Sequence, residues 1–391
     1  MTPAARLQAA IEVVDEVIAA ALQDGPPADA IVTGYFKQRR YAGSKDRRAV
    51  RELVFRAIRR AAEMPDSGRA AVLGLVEDEP ELLALFGEPR GPEPKRAEEA
   101  AALAGAVPQW LEPELSPLVG KGEWPALLER APLDLRANAA RTSRDALLPQ
   151  FDGAVATALS PWGIRLPADS RIDQHPAFID GLVEVQDEGS QLIALACEAA
   201  ADELVIDLCA GAGGKSLALA AAAPRARIVA TDSNRARLSK LPARAERAGT
   251  AIATRLLNPP HEHEELAEWR GKADVVLVDV PCSGSGTWRR NPEGRWRLTA
   301  ERLDRLVEVQ QRLLEIAAEL VRPGGRLVYA VCSLLSREGA GQIAGFQARH
   351  SSWISAPAPI PGGRSDGAGR LLTPGHDQTD GFFVARLGRP C

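Results

Sequence analysis

The 391 residues are 45% hydrophobic and 26% charged, ordinary for a soluble chain of two or three domains, and no apolar run approaches the ~20 residues a bilayer span needs. Five cysteines, an odd number, read as free thiols rather than a disulfide framework, and the opening MTPAARLQAAIEVVDEV carries acids that a signal peptide lacks, so a cytoplasmic location is expected. A net charge of −4 excludes a globally basic nucleic-acid binder, yet the stretch from Lys37 to Arg60 holds ten Lys or Arg against two acids.

In chain order, Leu7, Ile11, Val14, Ile18 and Leu22 recur at helical spacing and predict an amphipathic helix over residues 4–22. Pro26 and Pro27 interrupt it. Further helices are expected over 31–38 and 46–60, the second with Val50, Leu53, Val54, Ala57 and Ile58 as its buried stripe and Ser44 as a capping residue at its entry. The cluster Lys37, Arg39, Arg40, Lys45, Arg47 and Arg48 around the intervening turn is either a solvated helix face or a phosphate-binding one. GEPRGPEPKR (87–96) reads as a linker or exposed loop, and 97–130 as short helical patterns broken by prolines. From 131 to about 190 the pattern is that of a small α/β module. His261 and His263, in HEHEE, read as a solvated loop; no metal-ligand array is evident.

The region from Val205 to Ser333 carries the chemistry. VIDLCAGAGGKS is an apolar strand, a Gly-rich turn and a helix start. It lacks the first glycine of a P-loop, where Cys209 stands, and the third of the dinucleotide fingerprint, where Ser216 stands. Small residues there let a ligand approach the backbone, and Asp232 at the end of the next strand suits a ribose diol, which together favour an adenosine-containing ligand. Asp279-Val280-Pro281-Cys282 and Val331-Cys332-Ser333 end two further strands. Either cysteine alone would most often be a small buried hydrophobe, but paired at strand ends they read as a nucleophilic thiolate with Asp279, its pKa raised, as the accompanying acid. TWRRNPEGRWRL (Thr287–Leu298) interleaves Trp288 and Trp296 with four arginines, which suits single-stranded RNA unless it is a loop with anchoring tryptophans.

CAGAGGK, Asp232, DVPCSGSGTWRRNPEGRW, VCS and DGFFVARL, in that order, resemble the bacterial ribosomal RNA cytosine-5 methyltransferases of the Sun/NOP2/RsmB type. LDLRAN and VQDEGSQ resemble the small module that precedes the core in that family, and the basic N-terminal helices resemble its NusB-like RNA-binding domain. The resemblance implies an α/β fold with a Rossmann-like S-adenosylmethionine-dependent methyltransferase sheet in residues 191–391, a small α/β module in 129–190, and an all-helical NusB-like domain with its linker in 1–128. It implies S-adenosylmethionine bound by Cys209, Ala210, Gly211, Ala212, Gly213, Gly214 and Lys215, with Asp232 on the ribose and Asn258 and Asp279 completing the site. Cys332 is implied as the nucleophile on carbon 6 of a flipped-out cytosine, Asp279 as the partner of ring nitrogen 3, and Cys282 as the group that helps release product. The family usually has Ala-Pro in place of Gly211-Ala212, Thr in place of Val331 and an acid in place of Asn258. The expected partner is RNA, in particular small-subunit ribosomal RNA, and the expected state a monomer away from membranes. A DNA cytosine-5 methyltransferase, in which the Pro-Cys cysteine is the nucleophile, and a non-catalytic RNA-binding or assembly factor are the alternatives.

Overall fold

Every residue of β5 (Leu204–Asp207) is buried, and this strand runs through the middle of the larger of two sheets in a computed structural model that describes residues 1–391. A continuous apolar run is what a parallel strand covered on both faces requires. Five strands are parallel: β5, β6 (Arg227–Asp232), β7 (Ala253–Leu256), β8 (Ala273–Asp279) and β9 (Val321–Val331). β13 (Phe382–Gly388) runs antiparallel beside β9, followed by β12 (Gly369–Leu372) and β11 (Arg364–Asp366), with β10 (Ile354–Ala356) also on β13. The order β11-β12-β13-β9-β8-β5-β6-β7 places β6 and β8 on opposite sides of β5. The chain therefore reverses its direction of travel across the sheet at β5, and ligands of open α/β sheets bind beyond the carboxyl ends at such a reversal. This is the expected Rossmann-like sheet.

The residues cluster into two compact units: Met1–Leu115, Lys121–Glu129 and Thr287–Ala300 in the first, Ser116–Gly120, Arg130–Gly286 and Glu301–Cys391 in the second. The second unit also holds a four-stranded antiparallel sheet, β1 (Leu133–Ala137), β2 (Val155–Ala156), β3 (Gly163–Leu166) and β4 (Val183–Val185), in the order β2-β3-β1-β4. Most polar residues of LDLRAN and VQDEGSQ are buried, and they are hydrogen-bonded here to one another and to neighbouring segments. Asp134 takes two hydrogen bonds from Arg165 at 2.7 and 2.8 Å, Arg136 donates to Gln186 at 2.7 Å, and Glu188 accepts from the Leu159 and Ser160 amides. Buried polar groups are tolerated when satisfied in this way.

The first unit is built on α1 (Pro3–Leu22), α2 (Ala28–Gln38), α3 (Ser44–Arg60) and α4 (Gly68–Asp78). The predicted stripe of α1 is buried up to Ile18, but Leu22 is 67% exposed because the helix ends there. Ser44 is the first residue of α3 and not its cap; the Asp46 carboxylate takes the Gly43 amide at 3.2 Å instead. Residues 287–300, sequence-contiguous with the second unit, supply the helix ends of the first. Glu293 accepts from the amide of Ala28 at the start of α2 (2.9 Å). Arg295 donates to the Ile58 and Arg59 carbonyls in the last turn of α3 (2.7 and 3.3 Å), and Trp296 Nε1 to that of Ala61, just past the helix end (3.0 Å). Arg297 reaches the carbonyls of Ala20, Gly25 and Pro26 where α1 ends. Helix termini leave backbone groups without partners, and one short segment satisfies three of them. No helix of the chain is long and apolar enough to cross a membrane.

Candidate active site

The carboxyl ends of β5, β6, β8 and β9 carry the residues expected to act. After β5, Gly211 and Gly213 have φ of +58° and +85°, where a side chain would meet Arg237 at 2.4 Å and Leu241 at 2.2 Å respectively. Glycine is required at both, so the sharp turn is fixed by sequence. A Cβ at Gly214, the first residue of the helix Gly214–Ala222, would meet nothing within 4 Å, which leaves open space beside the half-buried backbone. Asp232, ending β6, folds its carboxylate back onto this turn, accepting from Gly211 N at 2.7 Å and Asn234 N at 2.6 Å. Each carboxylate oxygen retains a second acceptor direction for a diol. An open backbone cradle beside an acceptor-only side chain fits the adenosyl and amino-acid parts of S-adenosylmethionine. Asn258 follows β7 on the exposed side, and its side-chain amide donates to Glu265 at 2.6 Å.

Asp207, at the end of β5, is fully buried; burial pushes its pKa up to about 7, against the 2.6 Å hydrogen bond it accepts from Ser216. Burial likewise drives the Cys209 thiol well above its ordinary range, so this cysteine stays protonated.

Asp279 and Ala330 are register partners on the adjacent strands β8 and β9. Three residues beyond the first and two beyond the second, Cys282 and Cys332 meet with their sulfurs 3.3 Å apart. The hydrogen bond with Cys332, and then burial, hold Cys282 well above the usual thiol range. It keeps its proton and can donate it to the Cys332 sulfur. Asp279, expected as a lone buried acid, is an ion pair: Lys215 Nζ lies 2.6 Å from its Oδ2, and the carboxylate side chain is 27% exposed. Burial opposes the Lys215 charge, but Asp279 outweighs it and raises the pKa, so the ammonium persists. Lys215 also lies 5.4 Å from the centre of the Phe382 ring, in DGFF.

The two cysteine loops are tied together. Gly286 N donates to Cys332 O (3.0 Å) and Gly381 N to Gly286 O (2.7 Å); a Cβ on Gly286 would lie 2.0 Å from Gly381 O. Beneath them Glu338, with no exposed surface, accepts from Ser283 N at 2.8 Å and Ser333 Oγ at 2.5 Å, and also from Ser283 Oγ. Glu338 and Gln310 belong to no motif recognised in the sequence; the signal was the hydroxyls of Ser283, Ser285 and Ser333 beside the cysteines, which need a buried acceptor. The Trp/Arg segment after Gly286, expected to touch RNA, is part of the first unit's interior: Trp288 is 1% exposed, Arg295 1% and Trp296 6%.

Residues 194–388 match the family model described as 16S rRNA methyltransferase RsmB/F. The ribosomal RNA small subunit methyltransferase B of Shewanella oneidensis is 32% identical over 301 residues, 74% of this chain and 68% of that protein. This chain belongs to the RsmB/F family. It is an S-adenosylmethionine-dependent rRNA methyltransferase of the 5-methylcytosine type, as the resemblance implied. The same-named protein of Xanthomonas campestris is 36% identical over 249 residues, covering 63% of this chain and 56% of that one. Among solved structures, PH0851 has a TM-score of 0.76 at 20% identity, covering 99% of both chains. NSun6 from Pyrococcus horikoshii has 0.65 at 19%, over 73% of this chain and 98% of that one. At these identities the likeness is one of fold, and it extends through both units of this RsmB/F chain for the first of them.

Proposed function

We propose that this RsmB/F methyltransferase forms 5-methylcytosine in small-subunit ribosomal RNA with Cys332 as nucleophile, Cys282 in product release and the Asp279–Lys215 pair on the base. The carrying observation is the 3.3 Å approach of two strand-end thiols, one of which is held protonated. Cys332 Sγ bonds to carbon 6 of a flipped-out cytosine, which breaks the ring conjugation and makes carbon 5 nucleophilic. Asp279 faces ring nitrogen 3, and Lys215 beside it balances charge as the ring takes up the sulfur's electron pair. Bound S-adenosylmethionine supplies an electrophilic methyl group, held by the turn 209–215 and Asp232. After transfer the carbon 5 proton passes to water and its bonding pair re-forms the ring double bond. The carbon–sulfur bond breaks with its electron pair returning to the Cys332 sulfur, to which Cys282 donates its S–H.

RNA is held in part by the first unit, where Lys37, Arg40, Lys45 and Arg48 are exposed around a turn that also presents Tyr41, 74% exposed. Exposed cations with an aromatic platform suit phosphates and an unstacked base. The enzyme acts in the cytoplasm as a monomer. Transfer of labelled methyl from S-adenosylmethionine to unmodified ribosomal RNA tests the roles. Wild type labels RNA, Cys332→Ala does not, and Cys282→Ala accumulates protein–RNA adduct on a denaturing gel. An adduct appearing only when Cys332 is replaced would reverse the two cysteines.

A further inference from the structure

We infer that Glu338 is the positioning residue for both cysteines, acting through the serine that follows each one; this rests on the roles proposed for Cys332 and Cys282. Glu338 lies between β9 and the helix Ala340–Arg349 and touches neither sulfur directly. Its carboxylate takes hydrogen bonds from Ser283 N (2.8 Å), Ser283 Oγ, Ser333 Oγ (2.5 Å) and Gln310 Nε2 (2.9 Å). Those partners are not scattered: Ser283 follows Cys282, Ser333 follows Cys332, and Gln310 also donates to the carbonyl of Pro281, on the other side of Cys282 (3.0 Å). The Glu338 main chain is itself fixed, since its carbonyl accepts from Tyr329 Oη at 2.6 Å, within β9.

A buried carboxylate is a costly way to fill a core, and an apolar side chain would serve stability as well. What this one does that an apolar group cannot is bind two loops from two strands to one point. A carboxylate has about four acceptor directions, and the four donors here use that capacity. The shared anchor sets the separation of the two sulfurs, and a misplacement of about 1 Å in a reacting group costs about 10²-fold in rate.

The experiment compares Glu338→Gln, Ser333→Ala and Ser283→Ala with wild type in three readouts. Diamide-driven formation of a Cys282–Cys332 disulfide reports sulfur geometry without any turnover. Steady-state kinetics separate kcat from KM, and the denaturing gel reports adduct. Glu338→Gln keeps the shape but replaces an acceptor oxygen by a donor amide. It is expected to bind S-adenosylmethionine normally, to crosslink several times more slowly, and to lose about 10²-fold in kcat at unchanged KM for RNA. Ser333→Ala, combined with Cys282→Ala, should lower the trapped adduct because the nucleophile is displaced. Ser283→Ala alone should raise adduct because release is slowed. Unchanged crosslinking and kcat in Glu338→Gln overturn the proposal, as does a loss of thermal stability with kcat retained. If Glu338→Gln does not fold, the two serine variants decide, and wild-type crosslinking in both overturns it. Methyl transfer by Cys332→Ala would instead defeat the cysteine roles, while the crosslinking rates still judge Glu338.

Discussion

Two stretches of the first unit both combine several cations with an aromatic residue and meet opposite fates. Around the turn from Lys37 to Arg48, most cations are exposed; Arg39 rests on the Tyr35 ring at 3.6 Å and Arg47 donates to the Ala42 carbonyl, while Lys37, Arg40, Lys45 and Arg48 reach solvent. In the segment from Trp288 to Arg297, Arg295, Trp296 and Arg297 are turned onto carbonyls at the ends of α1 and α3. Arginine interleaved with aromatics therefore signals an excess of donors, and where the fold has carbonyls without partners the donors are consumed internally. RNA can use only donors that the fold leaves over.

The comparison can be broken by substitution. Trp296→Ala removes a large side chain from the helical core and the donor to Ala61, and should cost about 3–5 kcal/mol in denaturant unfolding of the first unit. Arg295→Ala strands the Ile58 and Ala106 carbonyls at 2.7 and 2.8 Å and should cost on the order of 3 kcal/mol. Arg295→Lys should recover little of this, because a point charge cannot span the same set of carbonyls. Burial lowers the Arg295 pKa to about 9, below that of an unfolded guanidinium, so this group should make wild-type stability rise as pH climbs past that value, because the unfolded chain then binds more protons than the folded one. That gain is confined to pH above about 9, where the unfolded guanidinium keeps a proton the folded one gives up.

In the second unit, Asp207 tests the same logic with an acid. Its pKa is raised to about 7, so its contribution is fully present below about 4 and declines as pH rises toward 7, by at most about 1.4 kcal/mol per pH unit. Asp207→Asn should flatten that slope in urea titrations. The smallest stability effect is expected on the exposed turn. Changing Lys37, Arg40, Lys45 and Arg48 one at a time to Gln should shift stability by less than about 0.5 kcal/mol. Each change should nevertheless weaken RNA binding and reduce its salt slope by about one. An unchanged salt slope in all four variants would remove this face from the RNA-binding surface.

Much of the catalytic sheet was legible because buried parallel strands leave apolar runs with abrupt polar ends. VIDLC, VATD, VLVD and VYAVCS each announce a strand and the residue it presents. The pairing of Asp279 with Ala330 then follows from the sheet, and the meeting of Cys282 and Cys332 from that pairing. Less legible were contacts between side chains distant in sequence. Nothing in CAGAGGK says that Lys215 turns to Asp279, and nothing in SREG says that Glu338 accepts from both cysteine loops. The position of Asn258 was readable, but its commitment to Glu265 depends on the following turn. The Trp/Arg segment misled for a related reason: its partners are backbone carbonyls, which every residue has and no sequence pattern marks.

The helix ends satisfied by residues 293–297 also bear on the order in which the protein can fold as it is made. Arg295 follows its partner Ile58 by 237 residues. At roughly 5–20 residues per second, translation needs on the order of tens of seconds to cross that interval. During that time α1 and α3 have emerged without the donors for their last turns, and the helical core lacks Trp296. The usual sequence, in which the first domain finishes while the next is still being synthesised, is closed to this chain. Its first unit waits for a segment encoded in the middle of the catalytic sheet, so both units reach completion only after the strand that bears Asp279 has been made.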